Sequence, residues 1–171
     1  MRTETRRERY NNKQKLSVRF PVEVACINFR HEPNIGYVLR AAACFGASKV
    51  NLIGSAPEPK YLREISGTTS DFIDISTFST PHDFLEYARK NDIHIVSAEI
   101  TQEAKNIYDY TFPKNKKVCI VVGNEQTGIT ADILKHSEVV EIPMPGVGYC
   151  LNTAVTAHIL LYEYTKQMSV S

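Results

Sequence analysis

Residues 117–123, KVCIVVG, constrain the fold more than any other stretch. The run is almost wholly apolar, so a strand made from it needs cover on both faces, as the middle of a parallel sheet flanked by helices provides. The remaining patterns fit that frame. VEVACINF, KVNLIG, IHIVSAE and VVEIPM are further strands, and FIDIS alternates as an edge strand does. Between them, IGYVLRAAACFG has helical spacing closed by a glycine. TPHDFLEYARKN places Thr80 as an N-cap, Pro81 at the first helical position, and Phe84, Leu85 and Ala88 on one face. A short helix is expected near residues 60–65, another in ITADILKHS with Thr130 as its cap, and a last one from about Cys150 to Met168. TQEAKNIYDYTFPKNK is expected to be a polar connection. Strand and helix alternate throughout, which predicts an α/β domain with a mainly parallel sheet, helices on both faces, and ligands outside the carboxyl ends of the strands.

The 171 residues, 43% hydrophobic and 23% charged, suit one globular domain. No run approaches the roughly 18 apolar residues of a membrane span, and no apolar stretch follows the N-terminal basic residues, so a cytoplasmic protein is expected. The four cysteines form no C-x-x-C pair, and three sit in apolar strand or helix patterns. The five histidines show no H-x-x-x-H spacing, so no metal is expected. The formal charge of +1 is unevenly distributed: residues 1–20 carry seven Lys or Arg against two Glu, leaving 13 basic and 17 acidic residues beyond. The chain therefore divides into a flexible basic arm, 1–20, and a domain, 21–171. Such an arm suits a nucleic-acid phosphate backbone, or is a solvated tail.

Three clusters carry chemistry. In NIGYVLRAAACFG, Asn34 is placed to cap a helix. Arg40 lies among Ile35, Val38, Leu39 and three alanines, where a buried guanidinium would want an anion and an exposed one would snorkel outward. In VCIVVGNEQTGIT, Gly123, Asn124, Glu125 and Gly128 make a tight loop after a buried strand. It lacks the G-x-G-x-x-G spacing and the lysine of a phosphate loop, which disfavours a dinucleotide or ATP. In the third, Pro143, Pro145, Gly146 and Gly148 fall within six positions before Cys150, Leu151 and Asn152. The helix that follows is apolar nearly all round through Val155, Ile159, Leu160, Leu161 and Tyr162, so it needs cover from a second subunit or from within the monomer.

Taken in order, these clusters resemble the SpoU or TrmH-type RNA ribose 2′-O-methyltransferases of the SPOUT superfamily. The matching residues are Asn34, Gly36, Arg40, Phe45 and Gly46; Gly123, Asn124, Glu125 and Gly128; and Ile142, Pro143, Met144, Gly146, Leu151 and Asn152, followed by Leu161, Tyr162 and Glu163. The resemblance runs from about Val22 to Gln167, and YDYTFP with the basic arm is most similar to the tRNA guanosine branch. It implies a SPOUT fold with a C-terminal trefoil knot, a homodimer, and S-adenosyl-L-methionine as cosubstrate. Ala98, Gly123, Ile142, Met144, Gly146 and Leu151 would hold that cosubstrate, the glycines and prolines letting backbone wrap the adenosine closely.

The implied reaction moves a methyl group to a ribose 2′-hydroxyl and needs no metal. Arg40 would orient the phosphate and stabilise charge, a role better suited to guanidinium than proton acceptance. Asn34 and Asn152 would position Arg40 or the ribose, and Glu125 would accept orienting hydrogen bonds. Cys150 stands where the family has serine, and its weaker thiol donor should loosen any bond that the serine makes. The chain ends soon after Tyr164, so RNA recognition is expected from the arm and the dimer surface. The partner is RNA, tRNA first and ribosomal RNA as rival. A catalytically weak donor- and RNA-binding protein and a flavodoxin-like module are the other readings.

Overall fold

The computed structural model describes residues 5–169, so the first four residues of the basic arm lie outside the described residues. Seven strands form one sheet: β1 Val22–Ile27, β2 Lys49–Ile53, β3 Asp74–Phe78, β4 Ile93–Ala98, β5 Lys105–Asn106, β6 Lys117–Val122 and β7 Glu138–Glu141. Their order is β3-β2-β1-β6-β4-β7-β5, and every neighbouring pair is parallel. The apolar run is β6, held between β1 and β4. Its side chains alternate between two cores: Val118, Ile120 and Val122 face one, Cys119 and Val121 the other. This is the two-face burial that the composition of the run requires.

The helices are α1 Arg6–Lys15, α2 Glu32–Cys44, α3 Pro59–Ser66, α4 Pro81–Lys90, α5 Ala131–Leu134 and α6 Thr153–Ser169. Ile35, Val38 and Leu39 of α2, Leu62 of α3 and Leu160, Leu161 and Tyr164 of α6 fill one core. Phe84 and Ala88 of α4 and Ile133 of α5 fill the other. Thus helices cover both faces, and α4 begins with Thr80 and Asp83 capping each other reciprocally. Gly36 lets α2 approach the backbone of α3, since a Cβ there would lie 2.8 Å from the Ile65 carbonyl oxygen. No helix among the described residues is long and apolar enough to cross a membrane.

Several local expectations are corrected. The connection before β6 is not simply polar: it contains β5, and it buries Ile107, Tyr110 and Phe112. Phe112 packs edge-on against both Tyr110 and Tyr164, at ring separations of 5.0 and 5.2 Å. Residues 6–15 of the arm, expected to be flexible, form a helix begun by a capping box between Thr5 and Glu8. The Arg7, Arg9, Lys13 and Lys15 side chains on that helix are exposed. Thr130 precedes α5 without a side-chain cap bond. Cys44, placed by its neighbours in an apolar pattern, is exposed at the end of α2.

Candidate active site

The carboxyl ends of β4, β6 and β7 open into a cleft of about 570 Å³. Its floor is Ala98, Val122, Gly123 and Val140, and Ile142, Met144 and Leu151 give it an apolar wall. Gly123 ends β6 where the chain folds back so tightly that a Cβ would lie 2.7 Å from both the Gly128 carbonyl oxygen and the Ile129 nitrogen. Asn124 and Gly128 exchange backbone hydrogen bonds at 3.1 and 3.0 Å. Inside that loop the Asn124 Oδ1 accepts from the Gln126 and Thr127 N–H groups at 2.8 and 3.1 Å, an Asx turn. Gly128 has φ +66°, a conformation that glycine adopts without strain. Glu99 braces the loop from β4, accepting from the N–H of Ile129 at 2.9 Å and of Ile100 at 3.1 Å.

At the edge of the cleft, one carboxylate joins the three sequence clusters. Glu125 accepts from the Arg30 N–H at 2.8 Å, the His31 N–H at 3.2 Å and the Asn34 Nδ2 at 2.7 Å. Because Asn34 must donate to a carboxylate, its Oδ1 is left to accept, and it does so from Asn152 Nδ2 at 3.1 Å. Asn152 Oδ1 in turn accepts from the Ala154 and Val155 N–H groups at 2.8 and 3.3 Å, capping α6. Burial alone would raise the Glu125 pKa, but hydrogen bonds from Arg30, Asn34 and His31 outweigh it and hold the carboxyl below its usual value. Asn34 is therefore no cap. His31 occupies the N-cap position of α2 without a side-chain bond, and Asn34, 6% exposed, lies in the first turn with its amide turned to the neighbouring loops.

The structure brings Ala98, Gly123, Glu125, Ile142, Met144, Cys150, Leu151 and Asn152 together around the cleft, with Asn34 one hydrogen bond behind. Two anticipated residues lie elsewhere. Gly146 is exposed outside the cleft with nothing within 4 Å of a would-be Cβ, and its φ is not left-handed, so in this structure no crowding or strain requires glycine there. Arg40 is exposed, not buried among its apolar neighbours, because the helical period puts Tyr37, Arg40 and Cys44 on the solvent face of α2. It has no ionic partner among the described residues and stands about 9 Å beyond Asn34 along the helix axis.

Sequence reasoning passed over four contributors. Glu99 and Glu141 line the cleft, as does Tyr149, and Thr153 Oγ1 donates to the Gly123 carbonyl at 2.8 Å, tying α6 to the end of β6. The available signal was position: Glu99 directly follows the last residue of β4, and Thr153 directly follows Asn152. The lining holds three carboxylates, Glu99, Glu125 and Glu141, and no Lys or Arg. Among the described residues no group of three His, Cys, Asp or Glu could hold a metal ion. Burial raises the thiols of Cys26 and Cys119 well above the ordinary value, which keeps them protonated and inert.

A profile of the SpoU rRNA Methylase family matches residues 21–162, from just before β1 into α6. The chain belongs to that family. A tRNA (guanosine(18)-2′-O)-methyltransferase of Escherichia coli is 26% identical to this SpoU-family chain over 156 residues, 89% of it and 66% of the relative. An AdoMet-bound rRNA methyltransferase from Sinorhizobium meliloti superposes with a TM-score of 0.78 at 26% identity, over 86% of this chain and 56% of the other. The A. aeolicus TrmH/SpoU tRNA modifying enzyme gives a TM-score of 0.81 at 22% identity, over 94% and 82% of the two chains, and speaks for the fold alone. The SpoU-family chain thus spans just under two thirds of the E. coli protein and little more than half of the S. meliloti one.

Proposed function

We propose that the protein is an S-adenosyl-L-methionine-dependent RNA methyltransferase acting on a ribose 2′-hydroxyl, in tRNA first and at a guanosine. The observation that carries the reading is the single cleft to which residues from β4, β6, β7 and the start of α6 converge, in a chain of the SpoU family. The cleft fits the cosubstrate chemically. Ile142, Met144 and Leu151 offer apolar walls to an adenosine, and a lining with three carboxylates and no Lys or Arg suits a cationic ligand. When bound, S-adenosyl-L-methionine supplies an activated methyl group and its own leaving group.

In this reading the chain's residues position and stabilise. The Glu125–Asn34–Asn152 relay holds the rims of the cleft at fixed distances, so the acceptor ribose meets a preorganised wall. Asn152 and Cys150, which line the cleft, would hold the ribose there, Asn152 through its amide and the exposed Cys150 as a weak donor. Arg40 meets an RNA phosphate from the solvent face of α2, as a fixed cation rather than a proton acceptor. The basic segment 1–20, with Arg7, Arg9, Lys13 and Lys15 exposed, adds phosphate contacts in the cytoplasm. A second copy covers Tyr37, Val155 and Tyr162, and the loop before α6 completes the family's trefoil knot.

The test is incubation with isotopically labelled methyl donor and either bulk tRNA or ribosomal RNA, followed by nucleoside analysis. Label in a ribose of tRNA is the expected result, label in ribosomal RNA alone reassigns the substrate, and label in neither overturns the reading. One observation favours a second reading, donor and RNA binding without catalysis: Arg40 does not line the cleft. Donor binding without transfer to any RNA would establish it.

A further inference from the structure

The three carboxylates that line the cleft are not equivalent. Glu99 gives its two oxygens to the N–H groups of Ile100 and Ile129. Glu125 is surrounded by the donors of Arg30, His31 and Asn34. Glu141, the last residue of β7, is half-buried and has neither a hydrogen-bond nor an ionic partner for its side chain among the described residues. Lys105 on the neighbouring β5 does not neutralise it, since Lys105 pairs with Glu138 at 2.8 Å. Glu141 is therefore the one carboxylate of the three whose oxygens meet no hydrogen-bond donor among the described residues, in the wall of a cleft that holds no Lys or Arg.

We propose that Glu141 is the specificity residue by which the cleft distinguishes a sulfonium methyl donor from its demethylated thioether. The inference rests on the donor reading above. Methyl transfer forms an O–CH3 bond at the ribose 2′-oxygen, whose proton passes to solvent, and breaks the S–CH3 bond with its electron pair left on sulfur, so the departing thioether carries one positive charge fewer than the donor. A lone carboxylate nearby attracts the first and gains little from the second. If the sulfonium binds about 6–8 Å from the Glu141 carboxylate, Coulomb's law at a dielectric near that of a solvated cleft changes its affinity about three- to tenfold. The same charge thus favours loading of the donor and release of the product. Glu99 and Glu125 keep their net charge, but the N–H and amide dipoles pointed at their oxygens offset part of their field, so they contribute less to the difference.

Isothermal titration calorimetry of the full chain with S-adenosylmethionine and with S-adenosylhomocysteine tests this in the absence of RNA. Glu141→Gln is expected to weaken the donor about three- to tenfold and the product less than twofold, and Glu141→Lys to reverse the preference. The preference of the unaltered chain is expected to shrink as salt rises, a readout that needs no variant. Binding of both compounds with a ratio unmoved by Glu141→Gln and by salt overturns this inference alone. Binding of neither to the unaltered chain overturns the donor reading and the inference with it.

Discussion

Glu125 shows how one side chain sets the shape of the site. Its carboxylate faces the N–H groups just ahead of α2, where the unpaired backbone donors and the helix dipole favour negative charge, and it reaches α6 through two asparagines. Glu125→Gln keeps the volume but turns an amide towards groups that only donate. It is expected to lose about 1.5–3 kcal/mol in urea unfolding at pH 7, the worth of hydrogen bonds to a charged group. The sign with pH follows from the lowered pKa: the carboxylate's contribution is complete above the unfolded value of about 4.3 and disappears as pH falls through the lower folded value. The stability gap between the unaltered protein and the variant should therefore close in acid, and unfolding curves at pH 7 and pH 3 check this. Gly123 makes a complementary case, because what an added Cβ would meet is backbone and no rotamer can relieve it. Gly123→Ala is expected to cost about 2 kcal/mol or more and to abolish donor binding by opening the Asn124–Gly128 loop, measured by thermal melting and calorimetry.

At the scale of strands and helices, the sheet carries its chemistry at one end and a structural staple at the other. Glu23, near the amino end of β1 and fully buried, accepts from Asn51 on β2 at 2.7 Å, Tyr87 on α4 at 2.8 Å and Lys117 on β6 at 3.1 Å. Glu23→Ala strands three donors at once. Because Lys117 is 38% exposed and water can reach it, the expected loss is about 2 kcal/mol rather than the larger cost of a wholly buried charge. Donor affinity is expected to stay unchanged, since the cleft lies at the carboxyl ends, and urea unfolding with calorimetry separates the two. What was legible in the sequence follows the same division. β6 could be read because burial on two faces writes itself into composition. Asn34 was misread because a cap is a local signal, whereas its partner Glu125 lies 91 residues away. Arg40 was left open between a buried and an outward setting because small apolar neighbours along the chain say nothing about which way a helical position points; the structure gives the outward one. Ile107, Tyr110 and Phe112 stayed hidden because an irregular segment buries them without a period of two or 3.6.

For the whole molecule the outer face of α2 and α6 is decisive. Tyr37, Val155 and Tyr162 are 55%, 45% and 58% exposed, Val155 and Tyr162 are one face of α6 at a spacing of seven, and Tyr37 lines the same groove as Val155. Large apolar side chains concentrated on two adjoining helices are the surface that an obligate partner would cover. If a second copy does so, the unaltered protein elutes with twice the chain mass under light scattering. Val155→Glu with Tyr162→Glu, placing two charges in the middle of the contact, yields the chain mass. The consequences for function then divide. Ala98, Gly123, Ile142, Met144 and Leu151 of a single chain already line the cleft, so the separated chain is expected to bind donor within about twofold of the dimer. Arg40 projects from the same face of α2 as Tyr37, outside the cleft, so RNA methylation is expected to fall by at least about a hundredfold, the scale set by losing orientation of the acceptor. Equal loss of donor binding and methylation would instead mean that the cleft collapses without its neighbour. Retention of both would mean that the apolar face serves neither assembly nor transfer.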